Sequence, residues 1–472
     1  MKKIITSLLL ALFTTTFYAQ CFSKISVGEY HNTALKPNGT IYTWGNRSFA
    51  WGALGLGPGT GPAILAPTQV GTDSNWTNIS TGKYTTFAIK SDGTLWGTGS
   101  SRYGEIGNGT FGTNNYIFNF TQVGTETNWK IISGTRDNTI GLKNNGTLWG
   151  WGFNNNGQVG DGTTVVRYTP VQIGTDSNWK AVTSGSISFN IALKTNGTLW
   201  GWGFHGGSNC LGLGSGTGIN AYYSSPIQIG TDSDWSSMAS GYEHTLAIKT
   251  NGKLYIFGTG VNGAGGNGVL TDMTFFIPTQ IGTDSNWAQV SAGYSTSYAI
   301  KTDGTLWAWG QNDLGQLGDG TTINKGIPTQ IGTDNNWASV QAGYQHCEAL
   351  KTNGALWTWG DNSSSQLGTS NTSSSLIPVQ IAVAGCTLGN EAFEKTAINL
   401  YPNPANDIVT FDNSGALYQK VTIYNYLGQE VIQQKLNFDN NQIINLSNFT
   451  KGVYLFKLQN EKSSETVKVV KK

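Results

Sequence analysis

Three histidines stand three residues after a glycine: His31 after Gly28, His244 after Gly241 and His346 after Gly343. Three neutral imidazoles are a common zinc ligand set. These three, however, hold one equivalent position in distant parts of the chain, so no metal site is expected. Carboxylates come next. Glu105 and Asp161, brought together beside arginines, would suit a glycan-processing hydrolase or lyase. Two further sets of charged residues recur in register. Lys36, Lys90, Lys143, Lys194, Lys249, Lys301 and Lys351 hold one position, and Asp73, Glu126, Asp176, Asp232, Asp284 and Asp334 another. Such recurrence is turn and edge chemistry. The chain shows no calcium loop of the Asp-x-Asp-x-Asp-Gly type, no Gly-x-Ser-x-Gly elbow and no phosphate loop. No catalytic residue and no cofactor are assigned from the sequence.

The elements that position these residues are repeats. Val70-Gly71-Thr72-Asp73-Ser74-Asn75-Trp76 returns with its Trp at Trp129, Trp179, Trp235, Trp287 and Trp337, a period of 50 to 56 residues. In phase with it runs a Gly turn, an apolar strand ending in Lys, and a Gly-Thr-Leu-Trp-x-Trp-Gly strand. That second motif ends at Gly45, Gly99, Gly152, Gly203, Gly258, Gly310 and Gly360. A long fixed period with several short strands per copy predicts a β-propeller, and these endpoints predict seven blades. In the sixth copy, strands are expected near Val290–Gly293, at Ser297–Lys301 and Thr305–Gly310, and at Pro328–Ile331, where Pro328 would start an edge strand.

The motifs Ala292-Gly293-Tyr294, Asp303-Gly304-Thr305-Leu306-Trp307-Ala308-Trp309-Gly310 and Asn312-Asp313-Leu314-Gly315-Gln316-Leu317-Gly318-Asp319-Gly320 resemble the regulator-of-chromosome-condensation repeat. The resemblance spans 20–386 and implies a seven-bladed propeller. It implies little about activity. A similar secreted bacterial family member that inhibits β-lactamase through one face makes protein binding a fold-level expectation.

The two ends read differently. Residues 1–19, with Lys2 and Lys3 before an apolar run, read as a secretory signal peptide. After a linker at 387–398, residues 399–472 carry short strands and turn signals that predict a small β-sandwich. Tyr401-Pro402-Asn403-Pro404, Tyr424-Asn425-Tyr426-Leu427-Gly428-Gln429-Glu430-Val431, Lys451-Gly452-Val453-Tyr454 and the basic end resemble the type nine (Por) secretion sorting domain. That resemblance implies contact with the secretion machinery and a destination outside the cell or on its surface. A net charge of +1 and 12% charged residues argue against a nucleic-acid partner. No further apolar run reaches the ~20 residues of a membrane-spanning helix.

Residues that break the repeat are the candidates for binding. Of the 17 Trp, Trp51 alone reads as lying outside a repeat slot, in the long loop of blade 1. The Gly-Tyr turns and long loops should share one face. That face should carry every Arg of the chain, Arg47, Arg102, Arg136 and Arg167, with off-repeat rings such as Tyr103, Phe111, Tyr116, Tyr168, Phe275 and Phe276. Trp, Tyr and Arg are the types that anchor interfaces. The expected ligand-binding face is Arg47, Trp51, Arg102, Tyr103, Phe111, Tyr116 and Arg136, for an extracellular protein or carbohydrate. The bland alternative is that the rings tuck under their own loops. Finally, Cys21 and Cys386 count onto one repeat position from the two ends of the ring, so a Cys21–Cys386 disulfide is expected, with Cys210 and Cys347 unpaired.

Overall fold

The structure, a computed structural model, describes residues 21–47, 51–59, 61, 63–215, 218, 221–383, 400–413, 418–425, 429–436, 441–460 and 464–472. The expected signal peptide and Cys386 lie outside the described residues. The chain divides into two compact units, Met1–Leu388 and Gly389–Lys472.

The first unit holds seven four-stranded antiparallel sheets, one per repeat. Blade 6 is typical. Its strands are Trp287–Ala292, Thr296–Lys301, Leu306–Gly310 and Lys325–Gln330, in that order from channel to rim. Two details depart from the sequence reading. The crossover Trp287 is itself the first residue of the inner strand. Pro328 lies inside the outer strand, which already pairs Lys325 with Gly310. The strand is an edge, so the missing N–H of Pro328 costs no ladder bond.

The turn after the second strand needs its glycine. Gly304 has φ +80, and an added Cβ would fall 2.1 Å from the Asn335 carbonyl oxygen. The crossover segment packs onto this turn, and Trp337 N–H donates to the Gly304 carbonyl at 3.1 Å. A side chain there would push two blades apart.

The core lies between blades. Tyr298 and Leu317 of blade 6 pack with Val340, Cys347 and Trp359 of blade 7. The ring closes the same way: Cys21, Phe22, Ile25, Ala34 and Trp44 share a cluster with Leu350, Ile381 and Val383. Each blade consists of four consecutive strands, so closure rests on side-chain packing and on bonds such as Phe22 N–H to Gly354 carbonyl at 3.1 Å.

The second unit is a small β domain. A sheet orders Glu430–Lys435, Lys420–Asn425, Gly452–Gln459 and Ser464–Lys471. A two-stranded sheet joins Ile408–Asp412 to Asn441–Asn445. Val409, Phe411, Val421, Ile423, Phe456 and Leu458 form its core.

Candidate binding site at the channel mouth

Repeated charges first. In blades 2 to 7 each crossover acid pairs with the Lys of its own blade, as in Asp284–Lys301 at 2.7 Å; Glu126 and Lys143 pair likewise. The same ammonium sits over two rings, 4.6 Å from Trp287 and 3.9 Å from Trp307 in blade 6. These sandwiches are scaffold.

The histidines are scaffold too. His31 Nε2 meets Thr86 Oγ1 at 2.8 Å, His244 Nε2 meets Ser297 Oγ at 3.0 Å, and His346 Nε2 meets Asn32 Oδ1 at 2.9 Å. Each bond joins a blade to the next. Burial drives their pKa down, to about 3 for His31 and about 4 for His244 and His346, so all are neutral. Among the described residues no group of His, Cys, Asp and Glu is arranged to hold a metal.

The two carboxylates do separate structural work. Glu105 is 2% exposed, and its carboxylate accepts the Tyr103 N–H at 2.7 Å. Gln158, Gln316 and Gln366 make the same loop bond in blades 3, 6 and 7. Glu105 is therefore a carboxyl in a glutamine slot. Burial, with nearby Asp137 adding to it, pushes its pKa up to about 8 despite the hydrogen bonds it accepts. Burial also raises Asp161, but bonds from Thr163 and Arg167 outweigh it and the group is lowered. Arg167 Nε lies 2.6 Å from Asp161. Neither carboxylate lines the cavity at the centre of the propeller.

The expected binding residues do lie at the loop ends of blades 1 to 3. Trp51 is half-buried, and its partners belong to blade 2: Tyr84 at 4.2 Å and Tyr116 at 5.8 Å between ring centroids. It is thus not packed solely under its own loop. Nor is it outside the repeat. Gly52-Ala53-Leu54-Gly55 closes the turn that Gly104-Glu105-Ile106-Gly107 closes in blade 2, with Gly55 N–H to Gly52 carbonyl at 3.0 Å and Gly107 N–H to Gly104 carbonyl at 2.9 Å. Trp51 and Tyr103 therefore hold one slot. Asn156, Leu314 and Ser364 hold it in blades 3, 6 and 7. The Gly-x-x-Gly spacing was the available signal.

Arg102 is exposed and lies over Tyr103 at 5.1 Å, and Tyr103 meets Phe153 of blade 3 at 4.8 Å. Phe111 is 55% exposed yet stacks on Tyr168 of blade 3 at 3.7 Å. Tyr116 is half-buried against Trp51. Arg136 is exposed, with Asp137 at 3.4 Å. Arg47 folds back on its own loop, donating to the Gly57 carbonyl at 3.2 Å. Among the other rings, Phe275 is 5% exposed and belongs to the core, whereas Phe276 is 44% exposed.

Sequence reasoning missed the centre of this face. The residues directly after the inner-strand turns converge on the channel mouth: Glu29, Lys83, Arg136, Ser186, Tyr242, Tyr294 and Tyr344 from blades 1 to 7. Tyr242, Tyr294 and Tyr344 form an arc with neighbouring centroids 4.2 and 4.3 Å apart. Opposite them, Lys83 pairs with Glu29 at 2.5 Å and lies 5.1 Å from the Tyr84 ring. Tyr30 follows Glu29, and its ring parallels Tyr84 at 6.4 Å. Burial, then bonding to Glu29, raises the Tyr30 hydroxyl pKa; burial, then bonding to Tyr294, raises that of Tyr344. Beneath the mouth lies a cavity of about 230 Å³ lined by the inner strands of all seven blades. The tyrosines had read as one repeated turn residue, although they sit one position earlier in blades 5 to 7 than in blades 1 and 2.

Comparison with known proteins accords with this architecture. Models of the regulator of chromosome condensation (RCC1) repeat match at 22–50, 76–105, 129–158, 145–188, 196–248, 235–264, 287–316, 303–350, 337–366 and 353–389. The secretion system C-terminal sorting domain matches 399–472. The chain is similar to the ultraviolet-B receptor UVR8 of Arabidopsis thaliana, 28% identical over 313 residues, which is 63% of this chain and 66% of the receptor. It thus spans just under two thirds of that relative. It is 27% identical over 322 residues to the regulator of chromosome condensation of Xenopus laevis, 63% of this chain and 73% of that protein. Among solved structures, Prp20p of Saccharomyces cerevisiae shares the fold with a TM-score of 0.65 at 20% identity, over 75% of this chain and 88% of that one. Human WBSCR16 gives 0.64 at 20% identity, over 73% and 95%. The sorting domain implies secretion or display at the cell surface through the type nine machinery, and no described helix is long and apolar enough to cross a membrane. The chain belongs to the regulator of chromosome condensation (RCC1) repeat family, as a seven-bladed propeller joined to a secretion system C-terminal sorting domain.

Proposed function

We propose that the propeller is an exported binding module whose ligand, an extracellular protein or glycan, seats on the long-loop face. One observation carries this reading: half-buried Tyr294 and Tyr344 line the central cavity, and half-buried Tyr242 and Trp51 continue the aromatic surface against Tyr294 and Tyr84. Rings held by other rings and still reachable from solvent lose little entropy on binding, which is what an anchor requires. Exposed Arg102, Arg136 and Phe111 extend the same face across blades 2 and 3.

The test is capture by the purified chain, on a glycan array and from extracellular proteins, followed by affinity measurement. Trp51→Ala and Phe111→Ala should each weaken the captured ligand by about 2 kcal/mol, near thirtyfold. Affinity unchanged in both would reject the face. For delivery, we infer that residues 1–19 direct the chain to the periplasm and 399–472 carry it outward. Removing 399–472 should leave a folded propeller in the periplasm; export of the truncated chain at the normal level would contradict this.

A further inference from the structure

The central cavity has a lining unlike the face around it. Ser26, Ser80, Ser133, Ser291 and Gln341 contribute hydroxyl and amide groups from the inner strands. Ser26 Oγ accepts the Thr81 N–H at 2.8 Å and Ser291 Oγ accepts the Ala342 N–H at 2.9 Å. A hydroxyl that accepts from the backbone keeps its own O–H to donate. Ser80 is half-buried and lines the same cavity, whereas Ser184 Oγ is enclosed in the wall and is out of a ligand's reach. Charges stand only at the mouth, and there Glu29 is paired with Lys83 and Arg136 with Asp137.

This lining selects by chemistry. An apolar side chain would displace water from hydroxyls and return no hydrogen bond. A charged group would lose its hydration and meet no opposite charge at depth. A neutral ring bearing several hydroxyls can accept from the serines and donate to them and to the Gln341 carbonyl. At about 230 Å³ the cavity is smaller than the ~300–1,000 Å³ of pockets that enclose drug-sized ligands, which fits one ring rather than a folded segment. The tyrosine arc above it supplies flat faces for the C–H side of such a ring.

Resting on the long-loop face as the binding face, we propose that the cavity holds the terminal ring of a neutral glycan, with the rest of the chain running over Tyr84 and Trp51. The probes are neutral glucan, mannan, galactan and chitin oligosaccharides of increasing length, titrated by calorimetry and intrinsic fluorescence into the full chain. Gln341→Trp fills the cavity from one inner strand, and its melting curve checks folding. A second variant, Ser80→Ala, removes one lining hydroxyl with little change in volume.

At least one oligosaccharide should bind. Gln341→Trp should weaken it at least tenfold and Ser80→Ala severalfold, with Trp51→Ala reducing long oligosaccharides more than short ones. Binding weakened by Trp51→Ala and untouched by Gln341→Trp and Ser80→Ala would overturn the cavity while leaving the face intact. Failure of every neutral probe, with a protein captured on the same face, would do likewise. Glycan binding indifferent to all three substitutions would overturn both.

Discussion

The two ends of the propeller's strands obey different rules. At the crossover end, blades 2 to 7 repeat one cluster: acid, Lys and two aromatic rings, with ion-pair distances of 2.7–2.8 Å wherever an Asp is used. Its geometry does not vary because each copy performs one task, pinning a crossover segment to its blade. At the mouth end, equivalent positions hold Glu29, Lys83, Arg136, Ser186, Tyr242, Tyr294 and Tyr344. Lys83, Ser186 and Tyr242 share a backbone bond, each N–H donating to the turn carbonyl of the next blade at 3.1 Å, but that bond makes no demand on the side chain. Repetition marks scaffold, and divergence among equivalent positions marks the surface where a ligand would make demands.

That contrast can be broken at the seam, where the largest effect is expected. Cys21 is buried in a cluster with Ile381 and Val383, three residues short of Cys386. We propose that the two cysteines are bonded and that closing nearly the whole propeller stabilises it by about 4 kcal/mol. Non-reducing peptide mapping of the secreted protein should recover the Cys21–Cys386 pair. Two free thiols, or a melting temperature indifferent to reductant, would refute it.

Next come two buried carboxyls that replace their repeat counterparts. Glu348 stands where blades 4 and 5 have Ile191 and Leu246; neither carboxylate oxygen has a partner among the described residues, and burial raises its pKa well above the usual range. Glu105 takes a glutamine slot, with its pKa near 8. A carboxyl raised in the folded state binds its proton more tightly there than in the unfolded chain. Its stabilising contribution is complete below the unfolded pKa of about 4.5 and is lost as pH rises through the folded value. Glu348→Leu and Glu105→Gln should therefore stabilise the protein at pH 8 by on the order of 2 kcal/mol and by much less at pH 4. Equal effects at both pH values would contradict the sign. A smaller effect is expected from Lys301→Met. It keeps contact with the Trp rings but gives up a pair whose Asp284 is half-exposed, so about 0.5 kcal/mol should be lost. A loss several times larger in urea unfolding would mean that these sandwiches carry far more of the stability than solvent-screened pairs allow.

Most of the scaffold was readable in the sequence because it repeats. The crossover Trp, the strand-ending Lys and the turn Gly each recur in register, and one misjudged copy does not disturb the rest. Boundaries were harder: Pro328 looks like a strand start, yet an edge strand tolerates it internally. The site was only half legible. Phe111, Arg102 and Arg136 are exposed where loop residues of those types were expected, but Arg47 is held by its own loop and Phe275 is core. Trp51 seemed to lie outside the repeat because Ala53 replaces the Gln or Glu that marks this turn in blades 2, 3, 6 and 7. The tyrosine arc was overlooked for the opposite reason. Tyr242, Tyr294 and Tyr344 look repetitive along the chain, and only the packing of successive blades brings their rings together.

The most direct test of the central claim measures unfolding and ligand retention side by side for Trp51→Ala, Phe111→Ala and Tyr294→Ala, with Lys301→Met as the crossover-end control. The account predicts that the three mouth-end variants lose ligand by about 2 kcal/mol each while unfolding near the wild-type midpoint, and that Lys301→Met retains it fully. Mouth-end variants that unfold early yet bind as the wild type does would show those rings to be scaffold and would contradict it.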